Sequence, residues 1–245
     1  MNRMMTLALW LTGCANRTTV TEPGAIEVTT VRRSYNNAHA VRTPEGLLLV
    51  DAGLERDAPA LADDLAAAGV DPAELALIVL THGHADHAGG ARWFAEAYGV
   101  PVLAGAGDTN LLAQGHNDPL CPTDAMARRR LDDAQAETFA PLTPDHAVAA
   151  PFDLAELGLR GSVLPVGGHT EGSLVLDLGE AVFAGDLLRG SVVGRAATEH
   201  FFQCDPEAAT ERVREVLGAT GASTWFVGHF GPLAVEEVEG FVGGE

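Results

Sequence analysis

Residues 77–90 read Leu77-Ile78-Val79-Leu80-Thr81-His82-Gly83-His84-Ala85-Asp86-His87-Ala88-Gly89-Gly90: an apolar run, then four side chains with metal-binding atoms within six residues. The apolar run reads as a buried strand that ends where the polar residues start. His82 and His84 have alternate spacing, so an extended or looped backbone points both imidazoles to one side. Asp86 and His87 begin the turn into a helix expected from Ala91, and Gly89 and Gly90 let the backbone pass close to the site. Imidazole nitrogen and carboxylate oxygen suit Zn²⁺, with Mn²⁺ or Fe as alternatives where carboxylate is plentiful. A lone histidine is more often structural; four such residues in six are not explained that way.

The rest of the chain supplies a frame for such a segment. Apolar runs bounded by Gly or Pro place strands at 26–31, 38–42, 47–50, 77–80, 102–104, 162–165, 173–178, 181–183 and 224–227. Helices are expected at 59–68, 91–98, 206–217 and 235–241. Asp205-Pro206 offers an N-cap followed by proline, and Asp57 precedes a helix closed by Gly69. Helices interleaved with strands in this order indicate an α/β layered fold. No short repeat interrupts residues 26–245, which read as one domain. Between 105 and 151 the rhythm fails around Pro119, Pro122, Pro141 and Pro144, with a helix expected over 123–136. A stretch of this length is either a lid over the site or a surface excursion.

The formal charge is −19, and all 15 basic residues are arginine. An acidic surface of this kind argues against nucleic-acid and anionic-membrane binding, both of which need basic patches. Residues 1–13 have a signal-peptide layout: Arg3, an apolar run from Met4 to Leu11, then Leu11-Thr12-Gly13-Cys14. The run is too short to span a bilayer, which needs about 20 residues. Its ending resembles a bacterial lipobox, which implies export and a lipid on Cys14 as the only membrane contact, on the periplasmic side of the envelope. Residues 14–25 would then be a tether, and loss of Arg3 would bring the net charge to −20. An oxidising compartment would permit Cys121 and Cys204 to pair; a disulfide and two buried thiols both stay open.

Residues 77–90 resemble the HxHxDH signature of the metallo-β-lactamase superfamily, and further motifs similar to that family's follow in order. Gly167-Gly168-His169-Thr170-Glu171-Gly172-Ser173 is similar to its GHTxGS turn, Phe183-Ala184-Gly185-Asp186 to its strand-ending aspartate, and Val227-Gly228-His229-Phe230-Gly231-Pro232 to its last ligand loop. Upstream, Val50-Asp51-Ala52-Gly53 resembles its early Asp-x-Gly strand end. The resemblance spans about residues 26–232 and implies a four-layer αββα sandwich. It also implies two divalent ions, one on His82, His84 and His169, the other on Asp86, His87 and His229, with Asp186 bridging and Asp51 behind. A shared water activated by the two ions would be the nucleophile, oriented by Asp86, which hands its proton to the leaving group. Ser173 and Cys204 then read as turn and core residues, not nucleophiles.

Outside the motifs, His39, His116, His146 and His200 read as surface or hydrogen-bonded imidazoles. His200 follows Asp186 closely enough to line a pocket. Arg189 and Arg195, in the same loop, either grip a substrate carboxylate or phosphate or are solvated charges.

Within the resemblance, departures narrow the small-molecule substrate. Dedicated β-lactamases usually carry cysteine or serine where this chain has Asp186, and lysine is absent. Only 16 residues follow His229, so the helical glutathione domain of glyoxalase-type thioesterases is not expected. The expectation is a hydrolase of an ester, lactone or thioester. The alternatives are a phosphodiesterase or β-lactamase of the same fold, or a metal-binding lipoprotein without hydrolysis.

Overall fold

The apolar residues of Leu47–Val50 are all buried, and they divide by parity. Leu47 and Leu49 pack into a layer shared with helices, while Leu48 and Val50 pack into a layer between two sheets. The same division recurs in the next strand, with Ile78 on the helix side and Leu77 and Val79 on the inner side. A strand covered on both faces has no polar side to show, hence its unbroken apolar sequence.

The computed structural model describes residues 15–20, 26–194 and 196–244, with side chains described from 26 onward. The expected signal peptide, Cys14 and Arg195 lie outside those residues. The first sheet has the order β1 (Ala15–Val20), β2 (Ile26–Arg33), β3 (Asn36–Arg42), β4 (Leu47–Val50), β5 (Leu75–Val79), β6 (Val102–Gly105), β7 (His146–Val148). Pairing is antiparallel from β1 to β4 and parallel from β4 to β7. The second sheet contains β8 (Phe152–Asp153), β9 (Ser162–Pro165), β10 (Leu174–Asp177) and β11 (Ala181–Phe183). A separate ribbon of β12 (Arg189–Gly190) and β13 (Ala197–Thr198) follows, before β14 (Thr224–Phe226) and β15 (Leu233–Ala234) complete the second sheet beside β11.

Helices α1 (Ala58–Ala67), α2 (Ala85–Ala88), α3 (Ala91–Tyr98), α4 (Thr109–Gln114), α5 (Ala125–Gln135), α6 (Pro206–Ala219) and α7 (Val235–Gly243) flank the sheets. Leu61 and Leu65 of α1 and Phe94 of α3 cover the outer face of the first sheet. Val213 and Val216 of α6 and Val238 of α7 cover the second, around Trp225. Helix, sheet, sheet, helix is the four-layer αββα sandwich that the motifs imply. Among the described residues no helix is long and apolar enough to cross a membrane.

Three expectations change. Six residues of the expected tether form β1, whose backbone pairs with β2 from Ala15 opposite Val31 to Val20 opposite Ile26; the edge of β2 offers unpaired N–H and C=O groups to any adjoining chain. Asp205 caps α6 by accepting the Ala208 N–H at 2.9 Å, but Asp57 makes no cap bond and instead accepts the Ser34 hydroxyl at 3.1 Å. The stretch 105–151 is part lid, part frame: it supplies β7 to the sheet, while α5 stands over the site.

Candidate metal centre

The strand ends decide where the site lies. β4, β5, β11 and β14 all run toward one end of the sandwich, and Asp51, the 82–87 loop, Asp186 and His229 follow them in turn. Asp51 sits at φ 58°, a left-handed conformation that non-glycine residues rarely adopt. From there its carboxylate accepts both the Thr81 N–H and the Thr81 hydroxyl at 2.8 Å, which fixes the start of the ligand loop. Close backbone approach does the rest. A Cβ on Gly90 would stand 2.2 Å from the Ala52 carbonyl oxygen, so only glycine lets α3 start there.

All seven residues singled out by the motifs converge. The donor atoms of His82, His84 and His169 lie within 4.8 Å of one another, and so do those of Asp86, His87 and His229. Asp186 sits between the groups: its Oδ2 is 3.3 Å from His87 Nε2, 3.1 Å from His229 Nε2, and 3.8 Å from the Nε2 atoms of His82 and His169. His200 joins them, with Nε2 3.0 Å from the same oxygen.

Each inward-facing imidazole is held by its other nitrogen. His87 donates from Nδ1 to Asp51 at 2.8 Å, His84 from Nε2 to Asp118 at 2.7 Å, His169 from Nδ1 to Gln203 at 2.9 Å and His229 from Nδ1 to the Tyr35 carbonyl at 2.9 Å. His82 Nδ1 meets the Thr81 hydroxyl oxygen at 3.1 Å. Such outer partners set the tautomer and leave the inner nitrogen's lone pair free for a cation.

The charges fit this reading. Burial, then His87 and His169, holds the His82 pKa well below the usual imidazole value; burial, then His84 and His200, does the same for His169. Burial also opposes charge on His87 and His229, yet the carboxylates, Asp186 foremost, outweigh it and raise both. Burial likewise disfavours the Asp186 carboxylate, but His200, His229 and His87 overcome it and hold that pKa well below the ordinary range. Opposed shifts inside one buried cluster mark a functional site.

Whether the residues fit cations can be judged from what they leave unpaired. His82 Nε2, His87 Nε2, His200 Nε2 and Asp186 Oδ1 are buried without hydrogen-bond partners. Unpaired buried polar atoms are rare because each costs about 1–3 kcal/mol. Four of them belonging to one cluster of imidazoles around a carboxylate fit divalent cations. A cavity of about 710 Å³ opens onto this point, walled by Leu120, Met126, Val192, Phe201 and Phe230 on its apolar side.

Sequence reasoning missed three supports and left a fourth open. Asp118 and Gln203 lie in irregular stretches where nothing marks a carboxylate or amide as a histidine's partner. Asp108, 1% exposed, accepts the Gly83 N–H and the Thr170 hydroxyl at 2.7 Å on one oxygen and the Gly172 N–H at 2.8 Å on the other. It thereby ties the His82–His84 loop to the His169 loop. Cys121 and Cys204 form a disulfide, and Cys204 is exposed, so the reading of it as a core residue is corrected. The bond fastens the loop carrying His200 and Gln203 to the stretch before α5. Arg189 does not reach the cavity: its guanidinium lies 3.8 Å over the Phe201 ring and backs that ring from behind.

The sequence model of the family described as "Metallo-beta-lactamase superfamily" matches residues 31–221. Among curated proteins, the chain is 25% identical over 196 residues to the "Probable metallo-hydrolase YflN" of Bacillus subtilis (strain 168), covering 71% of this chain and 72% of that one. It is 38% identical over 160 residues to a "Hydroxyacylglutathione hydrolase" of Anaeromyxobacter dehalogenans (strain 2CP-C), covering 64% of this chain and 49% of that protein, so it spans about half of that relative's length. Among solved structures it resembles BJP-1, a subclass B3 metallo-beta-lactamase of Bradyrhizobium japonicum, with TM-score 0.58 and 19% identity over 82% of this chain and 74% of that one. At that identity the likeness speaks to the fold.

Proposed function

The chain belongs to the metallo-β-lactamase superfamily and is a metal-dependent hydrolase; from that premise we propose that it cleaves ester, lactone or thioester bonds with two divalent cations, Zn²⁺ foremost. The observation that carries the proposal is the pair of donor groups that share Asp186 beneath the cavity. His82, His84 and His169 would hold one cation, Asp86, His87 and His229 the other, and Asp186 would bridge. Two such cations supply a nucleophilic hydroxide near neutral pH and draw electron density from a carbonyl oxygen.

The chain's own residues do the remaining work. Asp86 Oδ2 lies 3.7 Å from His87 Nε2 and 3.6 Å from His229 Nε2, on the cavity wall, where it orients the attacking water and passes its proton to the leaving oxygen or sulfur. Tyr35 stacks on the His229 ring at 5.8 Å and also lines the cavity. A phenol is protonated near neutral pH, and partial burial, then the Asp86 charge, pushes its pKa further upward, so it faces a substrate as a neutral donor. The apolar wall favours an acyl group larger than acetyl. The name of the Anaeromyxobacter relative supports including thioesters.

The test is metal content per chain on protein purified without chelator, with parallel assays on lactone, thioester, ester, phosphodiester and β-lactam substrates. About two cations and chelator-sensitive turnover of an acyl substrate are expected. Failure to bind cations after reconstitution would end the reading.

We further propose export with a lipid on Cys14. The lipobox-like residues 11–14 and a disulfide suited to an oxidising envelope support this reading. Unchanged processing and membrane association in Cys14→Ser would refute it.

A further inference from the structure

His200 is left over by the seven-residue assignment, yet it is 4% exposed and its Nε2 is one of the four unpaired atoms in the cluster. Its donor atom lies within 4.8 Å of those of His169 and Asp186. Its ring meets the His169 ring at 4.9 Å and 84°. The three imidazoles of the first group meet one another in the same way: His82 and His84 at 4.8 Å and 83°, His82 and His169 at 4.7 Å and 90°, His84 and His169 at 4.8 Å and 82°. His200 thus meets His169 edge-on as those rings meet one another, and it also stacks on the His229 ring at 5.0 Å and 29°, so it stands between the two groups beside Asp186.

Its outer nitrogen follows the pattern of the others. Nδ1 lies 3.0 Å from the Phe202 carbonyl oxygen and accepts the Phe202 N–H at 3.2 Å; the tautomer that gives an Nδ1 proton to the carbonyl is the one that leaves Nε2 bare for a cation. The loop has little freedom to carry the ring away. Thr123 donates its N–H to the Phe201 carbonyl at 2.9 Å and its hydroxyl to the His200 carbonyl at 2.9 Å, Gln203 donates its N–H to the Cys121 carbonyl at 2.8 Å, and the Cys121–Cys204 disulfide closes the clamp. A solvent-facing histidine needs no such fixing, whereas a ligand does.

We propose that His200 is an eighth metal-binding residue, donating Nε2 to the cation that His169 and Asp186 would share. This rests on the dinuclear reading above.

The deciding experiment is NMR on the full folded chain labelled with ¹⁵N-histidine and loaded with ¹¹³Cd. The expected result is an unprotonated His200 Nε2 split by coupling to ¹¹³Cd, the signal being assigned by its loss in His200→Gln. Competition with a chelating dye should show one cation of His200→Gln bound more than 10-fold more weakly and the other within about threefold of wild type, at or beyond the effect of losing a ligand's outer partner. A protonated His200 Nε2 without splitting would overturn the proposal and leave it a hydrogen-bond donor to Asp186. That outcome, with two cations still bound, would leave the dinuclear reading standing; no cadmium bound at all would overturn both.

Discussion

Replacing Asp108 should loosen the site from behind without touching a ligand. The carboxylate receives three buried donors: the Gly83 N–H, the Thr170 hydroxyl and the Gly172 N–H. Asp108→Ala strands the two N–H groups and leaves the Thr170 hydroxyl only the Ser173 hydroxyl at 3.0 Å, at about 1–3 kcal/mol for each bond lost. Burial pushes the Asp108 pKa up, so its ionised form is itself penalised and removing it recovers part of that cost. The lower end of the range is therefore the better figure, about 3 kcal/mol in total. In Asp108→Asn the amide oxygen can take the position that accepts two donors, and the amide NH₂ then faces the Gly172 N–H; about 2 kcal/mol is the expected loss. Against a total stability of roughly 5–15 kcal/mol both are measurable. Urea midpoints of the metal-free chain should fall in the order wild type, Asn, Ala with unchanged slopes. Gly83 separates His82 from His84, and Thr170 follows His169, so the cation on those three should bind about 10–100-fold more weakly, as when any ligand's support is removed. If both variants match wild type within about 0.5 kcal/mol, the surface-substitution range, the carboxylate is not the tie between the loops.

Asp186→Ala should weaken retention of both cations, read as metal per chain after dialysis; normal retention of either would remove the bridging role. In Gly228→Ala the new Cβ would stand 2.1 Å from Asp186 Oδ1 and 2.4 Å from His87 Cε1, so metal content should drop while far-ultraviolet circular dichroism stays native; full occupancy would show that the backbone yields. His39, buried between the sheets, has its pKa lowered from 6.5 to about 4, first by burial. The unfolded chain therefore takes up this proton first, and stability drops as pH falls from 6.5 toward 4, by about 3 kcal/mol for a shift of that size. His39→Gln should lack this component, and superimposable pH–stability curves for the two metal-free proteins would refute the assignment.

What the sequence disclosed follows from which interactions are local. The ends of Leu47–Val50 and Ala181–Phe183 coincide with the expected strands because unbroken apolar runs bounded by polar or glycine residues have one reading when both faces are covered. His82, His84, Asp86 and His87 were legible from their short-range spacing after a strand, whereas His169, Asp186 and His229 were legible through the resemblance of their motifs to the family's. β7 and β8, with three and two residues, carry too few side chains for a pattern and exist only because a neighbouring edge accepts them. The tether reading of 14–25 failed for a related reason: threonine and arginine leave an edge strand and a linker alike in composition, and only the partner β2 decides between them.

The supports of the site were not legible, because each joins segments far apart in the chain. Asp118 holds His84 from 34 residues away, Gln203 holds His169 from 34, and Asp108 reaches Thr170 across 62. A carboxylate or amide in a loop has many possible partners, and only the packed fold selects one. The disulfide adds a consequence that neither cysteine announces alone. Joining residues 83 apart, it restricts the unfolded chain and, in the fold, couples the stretch before α5 to the loop that bears His200 and Gln203. Reduction should therefore do two separable things. It should lower stability by up to about 4.5 kcal/mol through chain entropy, and it should loosen the outer partner of one ligand. Cys121→Ser with Cys204→Ser, measured for urea midpoint and for cation dissociation, tests both. A loss of stability with unchanged dissociation would assign the bond to the scaffold alone and leave the hydrogen bonds from Thr123 and Gln203 to hold the loop.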